Sequence, residues 1–245
     1  MGFQFVHQFS DFCTTGREKR VSFIPVTIKN PKTNHLAYKW LQYISTASLG
    51  LGLLMQVQVA NADRGKALFS QCARCHGNRG EGRQEISAPA IAGMPEWYVA
   101  SQLKKFKEDI RGNHAKDVSG LKMRPMAKML HKSKGDIEAV AKYVSGLKMT
   151  TPSQTITGGN TAAGATLYQS CAACHGDKGE GKQSLSAPPL VGQSDWYLMT
   201  QLYNFKNGLR GTGKDLTGAS MASMVNVLAD EKAMRDALAY IYTLQ

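Results

Sequence analysis

Only five cysteines occur in this 245-residue chain, and four of them fall within two five-residue motifs. The fifth, Cys13, stands near the N-terminus. No cysteine pair is left for a structural disulfide, and beyond residue 62 none is left to serve as a nucleophile or thiolate ligand outside those motifs. Strand signals are weak throughout. No apolar run is long and unbroken enough for a comfortable membrane span: the stretch centred on Leu49–Met55 is interrupted by Ser45, Thr46, Ser48, Gln56 and Gln58. No nucleic-acid-binding motif is present, so a nucleic-acid partner is not expected. Charge is unevenly spread along the chain. Residues 63–150 carry 17 Lys+Arg against 9 Asp+Glu, a net of +8, whereas residues 151–245 carry 7 of each.

What is present is a motif that occurs twice, 99 residues apart: Cys72-Ala-Arg-Cys75-His76 and Cys171-Ala-Ala-Cys174-His175. Cys-x-x-Cys-His is the attachment pattern for c-type haem. Two cysteines three apart on a helical turn can each form a thioether to one vinyl group. The histidine, four residues from the first cysteine, shares their face and can ligate the iron. Half a zinc site would need more cysteines or histidines per copy, and a redox dithiol would need a βαβ setting. Two covalently bound haem c groups are therefore expected.

An internal repeat extends well beyond the motifs. Gly65-Lys-Ala-Leu-Phe69 recurs as Gly164-Ala-Thr-Leu-Tyr168, Ser87–Gly93 as Ser186–Gly192, and Trp97-Tyr98 as Trp196-Tyr197. The run His76-Gly-Asn-Arg-Gly-Glu-Gly82 recurs as His175-Gly-Asp-Lys-Gly-Glu-Gly181. It is only superficially like a phosphate loop, and its glycines are expected to turn the backbone tightly beside the porphyrin. A 99-residue period is too long for a solenoid unit, so each copy is read as a small domain. Helical stripes recur with it: Val99, Leu103, Phe106 and Ile110 against Leu198, Leu202, Phe205 and Leu209. A later stripe sets Ile137, Val140, Ala141, Val144 and Leu147 against Met234, Ala237, Leu238, Ile241 and Leu244. The expected fold is all-α. Its parts are an extension and signal over 1–62, a first domain over 63–148, a polar linker over 149–162 and a second domain over 163–245. A domain under 100 residues is marginal by side-chain burial alone, and a covalent haem supplies the missing apolar core.

Each unit resembles a class I cytochrome c domain, and the tandem resembles the cytochrome c4 family of bacterial di-haem electron carriers. The resemblance covers residues 63–245, including the order of motifs and the M-x-x-M stretch before the last helix. It implies a close crossing of the first and last helices of each domain, with Gly65 and Phe69 near Tyr143 and Gly164 and Tyr168 near Tyr240. It also implies that the Pro89 and Pro188 carbonyls accept a hydrogen bond from the ligating histidines, although prolines there also shape the loop.

His76 and His175 are the expected proximal ligands. The distal ligand is expected to be a methionine sulfur from Met123-Arg-Pro-Met126 and Met221-Ala-Ser-Met224. Alignment on the family pattern gives Met123 and Met221 the ligand position and packs Met126 and Met224 against the haem edge. Met129 is expected in the core. Arg111 and Arg210, at equivalent positions, are candidates to pair with haem propionates, as are the indole N–H groups of Trp97 and Trp196. The alternatives are a solvated helix end for the arginines and the core for the tryptophans. His114 and His131 have no counterparts in the second copy and are expected at the surface.

His/Met ligation raises the reduction potential and fills both axial positions, which suits a carrier rather than an enzyme. The expected function is a one-electron carrier between a respiratory donor complex or dehydrogenase and a terminal oxidase or reductase. The alternative is a haem-bearing subunit of a dehydrogenase or sulfide-oxidising complex. A di-haem peroxidase or thiosulfate-oxidising enzyme would need an open or unusually ligated iron. The basic first domain is expected to dock an acidic redox partner. Lys39, the apolar segment and Ala60-Asn-Ala62 read as an export signal cleaved before Asp63, giving a periplasmic protein. Membrane association is expected only if that segment stays uncleaved. Residues 1–35 are long for such a signal, so translation is expected to start further in, at a non-Met start such as Val26.

Overall fold

Among the described residues eight α-helices carry most of the regular structure, and four of them start where a short polar side chain satisfies an otherwise orphaned N–H. The computed structural model describes residues 64–130 and 133–245, all belonging to one compact unit. Cys13, Val26, the apolar segment, the cleavage site after Ala62 and His131 lie outside the described residues. In the first repeat, α1 covers residues 64–76, α2 Glu96–Lys107, α3 Val118–Lys128 and α4 Asp136–Ser145. The second repeat gives α5 Thr161–His175, α6 Asp195–Lys206, α7 Leu216–Met224 and α8 Glu231–Tyr242. Asp117, Asn160, Asp215 and Asp230 cap α3, α5, α7 and α8 through their side chains. Among the described residues the only β pairing is two isolated bridges, Arg83 with Ala88 and Lys182 with Ala187. None of the described helices is long and apolar enough to cross a membrane.

Each repeat closes by crossing its first and last helices at a glycine. A side chain at Gly65 would fall on the Ala139 carbonyl oxygen and within 2.9 Å of Tyr143 Cβ. At Gly164 it would fall on the Asp236 carbonyl oxygen and 3.0 Å from Tyr240 Cβ. One turn on, Phe69 meets Tyr143 and Tyr168 meets Tyr240, each pair with ring centroids 5.2 Å apart. The buried faces of α4 (Ile137, Val140, Ala141, Val144) and α8 (Met234, Ala237, Leu238, Ile241) follow the last-helix stripes read from the sequence, except that Leu147 and Leu244 fall past the helix ends and are half-buried.

The α2 and α6 stripes behave differently. Phe106 and Phe205 are buried, but Val99, Leu103, Leu198 and Leu202 are only half-buried. They pack on one side against the core of their repeat and on the other line a cavity. The polar stretch between the repeats is also fastened down. Asp195, at the start of α6, accepts hydrogen bonds from Thr155 N (2.6 Å), Thr155 Oγ1 (2.7 Å) and Ile156 N (2.6 Å), and Ile156 packs on the second core.

Candidate functional site

α1 and α5 each end at the Cys-x-x-Cys-His motif, so both cysteines and the histidine emerge from the last helical turn. Cys72, Cys75 and His76 line one cavity with Pro89, Met123 and Met126. Cys171, Cys174 and His175 line the other with Pro188, Met221 and Met224. His76 Nδ1 lies 2.8 Å from the Pro89 carbonyl oxygen, and His175 Nδ1 lies 2.7 Å from that of Pro188. The carbonyl fixes Nδ1 as the protonated nitrogen and leaves Nε2 with a free lone pair. Burial holds both imidazoles below their ordinary pKa, with the carbonyl contact acting the other way. Gly82 permits this arrangement: at φ +85° its amide reaches the His76 carbonyl at 2.7 Å, and a Cβ there would strike Ala90 N at 2.5 Å. Gly181 repeats it beside Pro188 and Pro189.

The four motif cysteines are unpaired. Burial pushes the Cys72 thiol up to about 11 and raises Cys171 as well. Neutral thiols on an apolar wall suit thioether formation rather than thiolate metal binding or disulfide exchange. Among the described residues no three of His, Cys, Asp and Glu converge as a metal site.

Arg111 and Arg210 lie at the boundary between the repeats, not at a solvated helix end; each is 8% exposed. Arg111 donates to Gln102 Oε1 (2.9 Å), Tyr197 OH (2.7 Å) and Gln201 Oε1 (3.1 Å). Arg210 donates to Gln201 Oε1 (2.8 Å) and Gln102 Oε1 (3.0 Å). Each guanidinium sits 4.5 Å over a phenylalanine ring, Phe106 or Phe205. Their Nε atoms are buried without a partner, and no carboxylate among the described residues bonds either group. Two buried cations held only by neutral groups call for an anion. Haem propionates would supply it, since Arg111 lines the first cavity and Arg210 the second. The residues present fit a haem in each cavity.

Trp97 and Trp196 are absent from both cavity walls. Each is half-buried and makes an edge contact with its neighbouring tyrosine, with centroids 5.7 Å and 6.0 Å apart. Tyr98 and Tyr197 line both cavities instead, as do Gln102 and Gln201. These four were the residues that sequence reasoning passed over. The available signal was their recurrence at the same 99-residue period as Arg111 and Arg210. Met129, expected in the core, is 45% exposed on the rim of the first cavity, where it caps the end of α3, while Leu130 beside it is buried. His114 is exposed.

Such helical wraps, each presenting a Cys-x-x-Cys-His motif to an apolar cavity, define the class of c-type haem domains. The Cytochrome c family matches residues 62–148 and 161–245. The chain is 34% identical over 151 residues to a thiosulfate dehydrogenase electron acceptor of Thiomonas intermedia, covering 58% of this chain and 65% of that one. It is 31% identical over 182 residues to cytochrome c4 of Azotobacter vinelandii, covering 69% and 82% respectively. Among solved structures, reduced cytochrome c4 from Pseudomonas stutzeri superposes with a TM-score of 0.58 at 26% identity, covering 75% of this chain and 98% of that one. The thiosulfate dehydrogenase TsdBA from Marichromatium purpuratum gives 0.61 at 28%, covering 74% of this chain and 40% of that one. The chain thus spans just under two thirds of the Thiomonas relative and less than half of the TsdBA chain. The chain belongs to the cytochrome c family, as a di-haem member related to cytochrome c4 with two covalent haem c groups.

Proposed function

We propose that this chain is a periplasmic one-electron carrier that takes electrons from a respiratory donor complex or dehydrogenase and delivers them to a terminal oxidase or reductase. Each haem, when bound, supplies reversible one-electron chemistry at its iron. The observation that carries the reading is that each cavity wall holds a histidine with its Nδ1 already engaged and a methionine pair on α3 or α7. His76 and His175 act as proximal ligands and Met123 and Met221 as distal ones. Met224 is 41% exposed and Met221 less so, which favours Met221 as the sulfur held inside. With both axial positions filled by the protein, no position is left for a substrate. Tyr98, Gln102, Tyr197 and Gln201, shared by both cavities, hold the two sites against each other. The matured protein should therefore show no sustained turnover of peroxide or thiosulfate while exchanging two electrons per chain. Turnover of either substrate would overturn the carrier reading.

A second reading, a haem-bearing subunit of a dehydrogenase, draws on relatives named as thiosulfate dehydrogenase electron acceptors. Isolation from the native source as one species or as a stable hetero-complex separates the two.

The first domain is the proposed docking face for an acidic partner. Lys122 is exposed on the rim of the first cavity, and Arg74 and Arg83 are exposed elsewhere on the first domain. The position equivalent to Lys122 is Ser220, and that equivalent to Arg74 is Ala173. Long-range steering of this kind is screened by salt. Electron transfer through the first haem should slow about tenfold or more between low and physiological ionic strength. A rate that does not change with salt would remove the acidic partner.

A further inference from the structure

The two halves of the boundary present similar groups to each other but differ in charge at one pair of positions. α3 and α7 begin at Asp117 and Asp215, whose carboxylates each accept a backbone N–H at 3.0 Å, from Gly120 and Gly218. Both acids are buried, at 5% and 1% exposure. Each faces the helix of the opposite domain. Asp117 Oδ1 accepts from the Asn204 side-chain amide at 3.4 Å. Asp215 Oδ1 accepts from the Lys105 ammonium, which also donates to Thr217 Oγ1 at 2.5 Å. Lys105 and Asn204 are themselves 99 residues apart and occupy equivalent places in the repeat. One buried acid is thus paired with a cation from the other domain, while its twin hydrogen-bonds only an uncharged amide there and feels the charge of Arg111 in its own domain. Arg111 and Arg210 occur once on each side, so the cation that distinguishes the two halves across the boundary is Lys105.

Lys105 belongs to the first domain but lines the second domain's cavity, whereas Asn204 lines neither. Oxidation adds a positive charge at a haem iron, so a fixed cation beside it disfavours the oxidised state. A charge on a buried pair acts through less solvent than the exposed lysines and arginines of the first domain do. The Lys105 side chain is only 14% exposed. We propose that Lys105, reaching across the domain boundary, raises the reduction potential of the haem in the second cavity, while the first haem lacks the equivalent cation. This rests on the carrier reading with one haem in each cavity. It makes Lys105 a residue that tunes the potential of the second haem rather than a ligand.

The test is a spectroelectrochemical titration of the full holoprotein, resolved into two waves. The first haem's wave is identified by its downward shift in Met123→His, since two nitrogen ligands lower the potential. Lys105→Gln should lower the second wave and leave the first nearly in place, whereas Lys105→Arg should keep the second wave near its original position. Asn204→Lys should raise the first wave. Both shifts should persist in high salt because the pairs are buried. A second wave unmoved by Lys105→Gln, a first wave unmoved by Asn204→Lys, or equal shifts from Lys105→Gln and Lys105→Arg would each overturn the proposal. Should one variant fail to incorporate haem, the other decides. Loss of the carrier reading itself would appear separately, as a haem without low-spin spectra in the unmodified protein.

Discussion

Replacing Gly164 with valine should prevent the second domain from closing. At that position a Cβ falls on the Asp236 carbonyl oxygen and lies 2.6 Å from the Asp236 carbonyl carbon. Both obstacles are backbone, so no side chain can swing aside and α5 must move off α8. That motion would open the seam over Met234 and Leu238, which are 1% and 2% exposed. It would also part Tyr168 from Tyr240 and loosen Asp236 from the Asn160 amide at 2.7 Å. Ordinary overpacking costs about 1–3 kcal/mol where neighbours can adjust. Here the cost should exceed about 3 kcal/mol, a large share of the roughly 5–15 kcal/mol that holds a typical domain. Gly146→Ala is the control. Its φ is −82°, and the nearest atom to an added Cβ is the Tyr143 carbonyl oxygen at 3.5 Å. That change should fall within about 0.5 kcal/mol of wild type. Denaturant unfolding followed by far-ultraviolet circular dichroism distinguishes the two. A Gly164→Val protein as stable as Gly146→Ala would mean that the helix crossing does not close the domain.

Changing Cys171 and Cys174 together to serine should halve the haem content, from two per chain to one, and cost the second domain its fold. Leu198 and Leu202 stay half-buried because they face the cavity, and the remaining core runs along α5 and α8. Without a tethered haem the cavity side of this wall has nothing to pack against, and the buried Arg210 has no anion. Binding energy that the native state alone enjoys is folding energy, so losing the covalent anchor is a stability loss as well as a loss of cofactor. The pyridine haemochrome assay counts haem per chain, and limited proteolysis reports which half is open. Two haems per chain in the double variant would refute the attachment assignment. A single haem with a protease-resistant second half would refute the claim that haem completes that core.

The features most legible in the sequence were those that one copy of the repeat contains by itself. The Cys-x-x-Cys-His spacing depends only on a helical turn, and the last-helix stripes are buried because both partners lie in the same domain. Residues facing a cofactor mislead a stripe reading. Leu103 and Leu202 have the period of a packed face but are half-buried, since the chain's own atoms cover only one side of them. Met129 was misjudged because it lies just past the end of α3, on the cavity rim, where an apolar side chain is left exposed. The boundary between domains was the least legible part. Gln102 and Gln201 look like ordinary polar helix positions until Arg111 and Arg210 arrive from both sides. Their partners lie 9 residues away in one direction and 90 or 108 in the other, a pattern that periodicity cannot reveal. The polar composition of residues 149–162 likewise hid the anchoring of Thr155 and Ile156 on Asp195.

The central claim is that both irons are held by histidine and methionine with no open position. It is tested most directly by electron paramagnetic resonance of the oxidised protein, together with its near-infrared methionine–iron charge-transfer absorption. The account predicts two low-spin haems and a methionine band for both, with Met123→Ala removing one contribution and Met126→Ala removing none. A high-spin haem, or one without the methionine band, would contradict the carrier assignment and give the protein an iron open to chemistry.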